Sequence, residues 1–189
     1  MLCYNYYMSS QPTNEFSICL LANSETTADI ESMRRELPTS PHRDDPPHIT
    51  LLRGVTSSAF VSDAAIAKSM GALLTMQPDS IGGNVKGVED KSNHLYSSTT
   101  ALTLTLSDVI LNYRKALINN LKANNYKVES QELATFIPHL TIRLGVALDE
   151  TERKRAEAHF LGKQIKFTRY ALFRLVQHNG SRQMHIVEM

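Results

Sequence analysis

The chain is poor in the features that mark several protein classes. Its 189 residues include only two cysteines, Cys3 and Cys19. That is too few for a disulfide framework, and neither lies in a Cys-x-x-Cys or Cys/His ligand pattern, so no metal or redox cofactor is expected. No run approaches the roughly 18 to 20 consecutive apolar residues that span a bilayer. Met1 to Ser10 carries tyrosines and an asparagine where an export signal would have basic residues followed by an apolar run. A cytoplasmic protein with no membrane partner is the expectation. Low-complexity tracts and long linkers are missing too. With 42% hydrophobic and 21% charged residues, the composition is that of one globular domain.

The formal charge of +1 hides an asymmetry. Residues 1–99 hold seven Lys/Arg against eleven Asp/Glu, and residues 100–189 hold thirteen against eight. A basic second half suits an anionic substrate, although ordinary mixed surface charge accounts for an excess of this size equally well.

Residues 1–14 read as a flexible leader. Glu15 to Ala22 is a first strand, and Ser24 is a candidate cap for a helix with Ile30, Met33 and Leu37 on one face and Pro38 as its stop. A proline-rich loop from Thr39 to Pro47 then delivers the strand HITLLRGV. Phe60 to Met76 has the 3.6-residue period of an amphipathic helix. Asp79 to Ser98, punctuated by Gly82, Gly83 and Gly87, reads as two strands with turns, followed by the alternating strand ALTLTL. Ser107 or Asp108 caps a helix with Ile110, Tyr113, Leu117 and Leu121 on one face. FIPHLTIRLGV is again a strand. Asp149 and Glu152 resemble a capping box, Gly162 can close the helix they open, and two strands end the chain around Asn179 and Gly180. Both halves thus run strand, helix, strand with His-x-Thr, helix, strand pair. The repeat, about 90 residues long, suggests two like lobes, about 15–99 and 100–189, within one domain.

The chemistry lies in two pentapeptides, Pro47-His48-Ile49-Thr50-Leu51 and Pro138-His139-Leu140-Thr141-Ile142. Serine and threonine make up about 17% of the chain, so seven histidines yield about one His-x-Ser/Thr by chance. Two copies that also share the proline and both aliphatics are a stronger signal. Side chains i and i+2 of a strand share a face, so each His-Thr pair projects together while the aliphatics anchor the other face. Two imidazoles and two hydroxyls across a groove suit phosphodiester cleavage. One imidazole takes a proton from the nucleophile, the other protonates the leaving oxygen, and the threonines hold the non-bridging oxygens. A zinc site is the competing reading. It needs more ligands, and only His42, Asp44 and Asp45 lie near in sequence. A single histidine of this kind is more often an ordinary hydrogen-bonded strand residue; the matched pair argues otherwise.

Two His-x-Ser/Thr-aliphatic motifs about 90 residues apart, in like halves of a chain this short, resemble the 2H phosphoesterase superfamily, which includes the LigT-like RNA 2′,3′-cyclic phosphodiesterases. The resemblance implies an α/β (α+β) bilobal fold, with two antiparallel sheets around a central cleft and helices outside. It also implies metal-independent hydrolysis of 2′,3′-cyclic or 2′-5′-linked phosphodiesters. His48 and His139 become acid and base, and Thr50 and Thr141 bind phosphate. Arg143 matches an arginine often found after the family's second motif, and strand parity puts it on the groove face. Arg53, five residues from His48, falls on the opposite face unless a bulge intervenes, and reads as surface. Tyr170 and Phe173 are candidate base-stacking platforms of opposite parity, so at most one faces the cleft; Tyr170 is the assigned substrate residue. RNA or a nucleotide is the expected partner, and no obligate protein partner is evident. The alternatives are a phosphodiesterase of a small signalling nucleotide and a non-catalytic RNA-binding module.

Overall fold

The structure, a computed structural model, describes residues 12–37, 45–58, 61–70, 81–91, 98–128, 136–178 and 181–188. Strand β1 (Pro12–Ala22) alternates Phe16, Ile18 and Leu20 into the main core with Ser17, Cys19 and Leu21 on the other face. It begins at Pro12, ahead of the expected Glu15; residues 1–11 lie outside the described residues. Helix α1 (Ser24–Glu36) is capped by Asn23, one residue before the expected Ser24. The Asn23 side chain accepts from the Thr26 amide at 2.9 Å, which satisfies an otherwise unpaired first-turn donor.

Strand β2 (His48–Thr56) carries the first motif. Helix α2 (Asp63–Met70) buries Ile66 and Met70; the remainder of the expected helix to Met76 lies outside the described residues. Strand β3 (Ile81–Lys91) and strand β4 (Thr99–Leu106) pair antiparallel. Within the expected pair of strands over 79–98, residues 81–91 form one strand with the glycines inside it and not at turns, and 79–80 and 92–97 lie outside the described residues. At Gly83 a Cβ would sit 2.7 Å from the Leu106 Cδ2, so glycine there marks close packing against β4, not a turn.

Helix α3 (Asp108–Ala123) begins at the expected cap Ser107 and buries Ile110, Tyr113, Leu117 and Leu121, the face read from sequence. Strand β5 (His139–Leu144) carries the second motif. Helix α4 (Glu150–Phe160) opens on a complete capping box between Asp149 and Glu152, and Gly162 beyond it takes φ +78°, a left-handed backbone that glycine adopts at low cost. Strands β6 (Gln164–His178) and β7 (Ser181–Glu188) end the described chain.

The seven strands among the described residues belong to one antiparallel sheet, ordered β1-β2-β5-β4-β3-β6-β7, with β1 and β6 also paired. That extra pairing closes six strands into a ring. β6 makes this possible by its length: residues 164–167 pair with β3, while residues from 167 onward pair with β1 along the opposite edge and with β7. The expectation of two separate sheets is therefore corrected to one barrel-like sheet. Its thinnest seam is β2 against β5, where Ile49 opposite Leu140 is the matched pair among the described residues. Among those residues no helix is long and apolar enough to cross a membrane.

Candidate active site

The seam between β2 and β5 brings the two motifs side by side. Ile49 and Leu140 are fully buried in the main core. The antiparallel register around them sets His48 across from Thr141 and Thr50 across from His139. Each histidine thus neighbours the threonine of the other motif, and all four side chains share the face opposite the core.

The two histidines are held alike. His48 Nδ1 lies 2.8 Å from the Pro46 carbonyl oxygen, and His139 Nδ1 lies 2.9 Å from that of Ile137. A carbonyl only accepts, so each Nδ1 carries the hydrogen, and Nε2 is the nitrogen placed to take or give a proton. The residue two before each histidine supplies this acceptor, which explains why the lead-in segments, Pro46-Pro47 and Ile137-Pro138, are as stiff as prolines make them.

Their surroundings differ. Register carries the His48 face through Leu21 and Cys19 to Ala171 on β6, and Cys19, Leu21, Ala171 and Phe173 form a second apolar cluster with Ile186. The Phe173 ring lies 4.4 Å from that of His48, tilted by 57°. Burial here pushes the His48 imidazole down to about 4, against the pull of the Pro46 carbonyl; the positive charges of Arg34, His139 and Arg53 push it the same way. On the other side Thr103, paired with His139, donates to the Gly87 carbonyl at 3.2 Å and the Glu89 carboxylate at 3.3 Å. One half of the groove is apolar and the other polar.

Cys19, unassigned by sequence, lies opposite Thr50, and its Sγ donates to the Thr50 Oγ1 at 3.7 Å. Burial pushes this thiol up to about 12, so it stays a neutral donor. With its oxygen accepting from Cys19, the Thr50 hydroxyl is left to donate its own hydrogen.

Two assignments are corrected. Arg143 is buried, off the groove face, with Nη1 on the Glu152 carboxylate at 3.1 Å and Nε buried without a hydrogen-bond partner among the described residues. The reason is a bulge: Thr141 pairs with Ala101 but Arg143 with Thr100, so Ile142 is an extra residue that reverses the alternation. Strand β2 has the same irregularity. Cys19 pairs with Thr50 and Ile18 with Leu52, so Leu51 is the extra residue. Arg53 consequently lands on the groove side, exposed, where its charge reaches both His48 and Cys19. Tyr170 is the second correction. It is buried in the main core, stacked on Tyr113 at 5.0 Å, and burial raises both phenols. Its neighbour of opposite parity, Phe173, is the aromatic that faces the site. Among the described residues, no group of three or more His, Cys, Asp or Glu side chains could hold a metal; His42 and Asp44 lie outside them.

No protein-family profile matches the chain, and no curated protein sequence matches it. Solved structures do. A structure of TT0787 from Thermus thermophilus superposes with a TM-score of 0.58 at 12% identity, over 93% of this chain and 96% of that one. Another, described as a phosphoesterase, gives 0.55 at 12% identity, over 93% and 97%. E. coli LigT complexed with 3′-AMP gives 0.53 at 12% identity, over 95% and 98%. The chain has the fold that these structures share. At this identity the likeness is one of architecture, and it extends over nearly the whole length of both partners.

Proposed function

We propose that the protein is a metal-independent phosphodiesterase that hydrolyses 2′,3′-cyclic or 2′-5′-linked phosphodiesters of RNA ends or oligonucleotides. The observation that carries this reading is the matched presentation of two imidazoles, each fixed through Nδ1 to the carbonyl two residues before it, on adjacent strands of this fold. The bilobal pseudo-symmetry of the 2H family, with lobes near 15–99 and 100–189, belongs to the same reading.

In the mechanism, phosphate enters between the four side chains with Thr50 and Thr141 donating to its non-bridging oxygens. His48, neutral because its site is apolar, is the base: Nε2 takes the proton of the attacking water. His139, paired with Thr103, whose hydroxyl donates to Glu89, carries the proton that goes to the departing ribose oxygen. Arg53 offsets charge on the pentavalent phosphate. Phe173, buried against the His48 ring, is an apolar wall of the site and, like Tyr170, offers no open face for a base. That E. coli LigT, of the same fold, forms a complex with 3′-AMP supports a nucleotide as ligand here. A small signalling nucleotide or a non-catalytic RNA-binding role are the other readings; the basic second half of the chain favours a polyanion, and two proton-transfer groups have no use in binding alone.

The test is turnover, with chelator present, of a panel of nucleoside 2′,3′-cyclic phosphates, 2′-5′ and 3′-5′ oligoadenylates and cyclic dinucleotides. His48→Ala and His139→Ala should each lose about 100-fold or more in rate while staying folded. Wild-type rates in either variant would refute the mechanism.

A further inference from the structure

Two buried arginines occupy matching places in the two halves of the chain. In α1 the apolar stripe is Ile30, Met33 and Leu37, with Arg34 inside it; in α3 it is Ile110, Tyr113 and Leu117, with Arg114 inside it. Both read Ile-x-x-apolar-Arg-x-x-Leu. A charge at such a position is desolvated on folding and needs strong partners to persist there.

The partners are crossed. Arg34, from the helix before the first motif, donates Nη2 to the Thr141 carbonyl of the second motif at 2.8 Å. Through Nη1 it also holds Asp45, on the lead-in to His48, at 2.7 Å, along with Glu31 of its own helix. Arg114, from the helix before the second motif, donates Nε to the Leu51 carbonyl beside Thr50 at 2.8 Å. Its guanidinium lies 4.2 Å over the ring of Phe136, on the lead-in to His139. Both carbonyls sit where a bulge interrupts the ladder, so each arginine satisfies backbone at a break in the sheet. Each also ties its own motif's lead-in to the other motif's strand.

We propose that Arg34 and Arg114 are paired positioning residues that hold the two His-x-Thr strands in register across the thin β2–β5 seam. The seam has little ladder pairing of its own, and a guanidinium fork offers several rigidly placed donors where an ammonium offers a point charge. Neither arginine needs to touch substrate: they act through the strand carbonyls beside Thr50 and Thr141 and through the segments that aim the histidines.

The role in turnover rests on the phosphodiesterase reading, so the test has two arms. In the first, Arg34→Met, Arg114→Met and the double variant are assayed on a nucleoside 2′,3′-cyclic phosphate, with folding checked by circular dichroism. Each single change should lower kcat about 10 to 100-fold with KM nearly unchanged. Arg34→Lys and Arg114→Lys should restore part of the loss. The double variant should be little worse than the weaker single, because both arginines hold one seam. In the second arm, imidazole NMR of the substrate-free protein reads geometry without turnover. Arg34→Met and Arg114→Met should each displace the ring signals of both histidines, because each arginine holds one motif's lead-in and the other motif's strand. If the methionine variants do not fold, the lysine variants carry the same test. Folded variants with wild-type kcat and unmoved rings would overturn the proposal. A wild type inactive on every phosphodiester, with both rings still moving in each variant, would defeat the activity and leave the positioning role standing.

Discussion

The His48 imidazole rests against the Phe173 ring, centroids 4.4 Å apart, and this contact separates the two otherwise matched histidines. The ring excludes water from one side of His48, and the charged imidazolium is the form that loses by it.

A stability prediction follows, with its sign set by that burial. The folded His48 has its midpoint depressed to about 4 from an ordinary 6.5, so the folded state binds fewer protons than the unfolded chain between those values. Its contribution is therefore fully present above pH 6.5 and is lost as pH falls toward 4, amounting to at most about 3 kcal/mol. Urea unfolding at pH 7.5 and pH 4 should show this loss. His48→Gln should remove that part of the slope, and a slope identical to wild type would contradict the assignment.

Phe173→Ala should raise the His48 midpoint back toward 6.5, as followed by NMR titration of the imidazole. Tyr170→Phe should leave it where it is, because Tyr170 lies on the core side of β6. An unmoved midpoint in Phe173→Ala would show that the aromatic wall is not what desolvates the ring.

The two arginines that follow the motifs should separate cleanly. Arg53→Gln removes an exposed charge from the groove side, so KM for a nucleotide should rise several-fold with thermal stability unchanged. Arg143→Gln leaves Glu152 without its buried partner, which should cost about 3 kcal/mol and alter KM little. Denaturant titration with a KM measurement on each variant checks both.

Most of the framework is legible from local pattern. The alternation of ALTLTL, the helical stripe of Ile110, Tyr113, Leu117 and Leu121, the Asp149–Glu152 cap and the shared face of each His-Thr pair depend on neighbours a few residues away. The misreadings come from events that alternation cannot register. A single inserted residue at Leu51 and another at Ile142 exchange the faces of Arg53 and Arg143. Phe173 and Tyr170 have the same strand propensity, and only the direction in which β6 packs decides between core and groove. Gly82, Gly83 and Gly87 look like turn residues because sequence does not show the side chain, such as Leu106, that needs the space a Cβ would fill. Ring closure depends on β6 being long enough to reach both β3 and β1, a relation between distant segments.

The Cys19 thiol, buried and pushed up to about 12, should resist alkylating reagents in the native protein and react only on unfolding. Cys19→Ala removes the donor to Thr50 and should lower kcat about 3 to 10-fold, less than the larger loss on removing a phosphate donor outright in Thr50→Ala. Cys19→Ser, which restores a donor, should recover part of it.

The central claim is that both imidazoles meet one phosphate, and the most direct test is a titration of the protein with a nucleoside 3′-monophosphate followed by NMR of both rings. His48 and His139 should shift together with a single Kd, and Thr50→Ala or Thr141→Ala should weaken both responses in parallel. A ligand that moves one ring and leaves the other in place, or that gives the two rings different affinities, would contradict it.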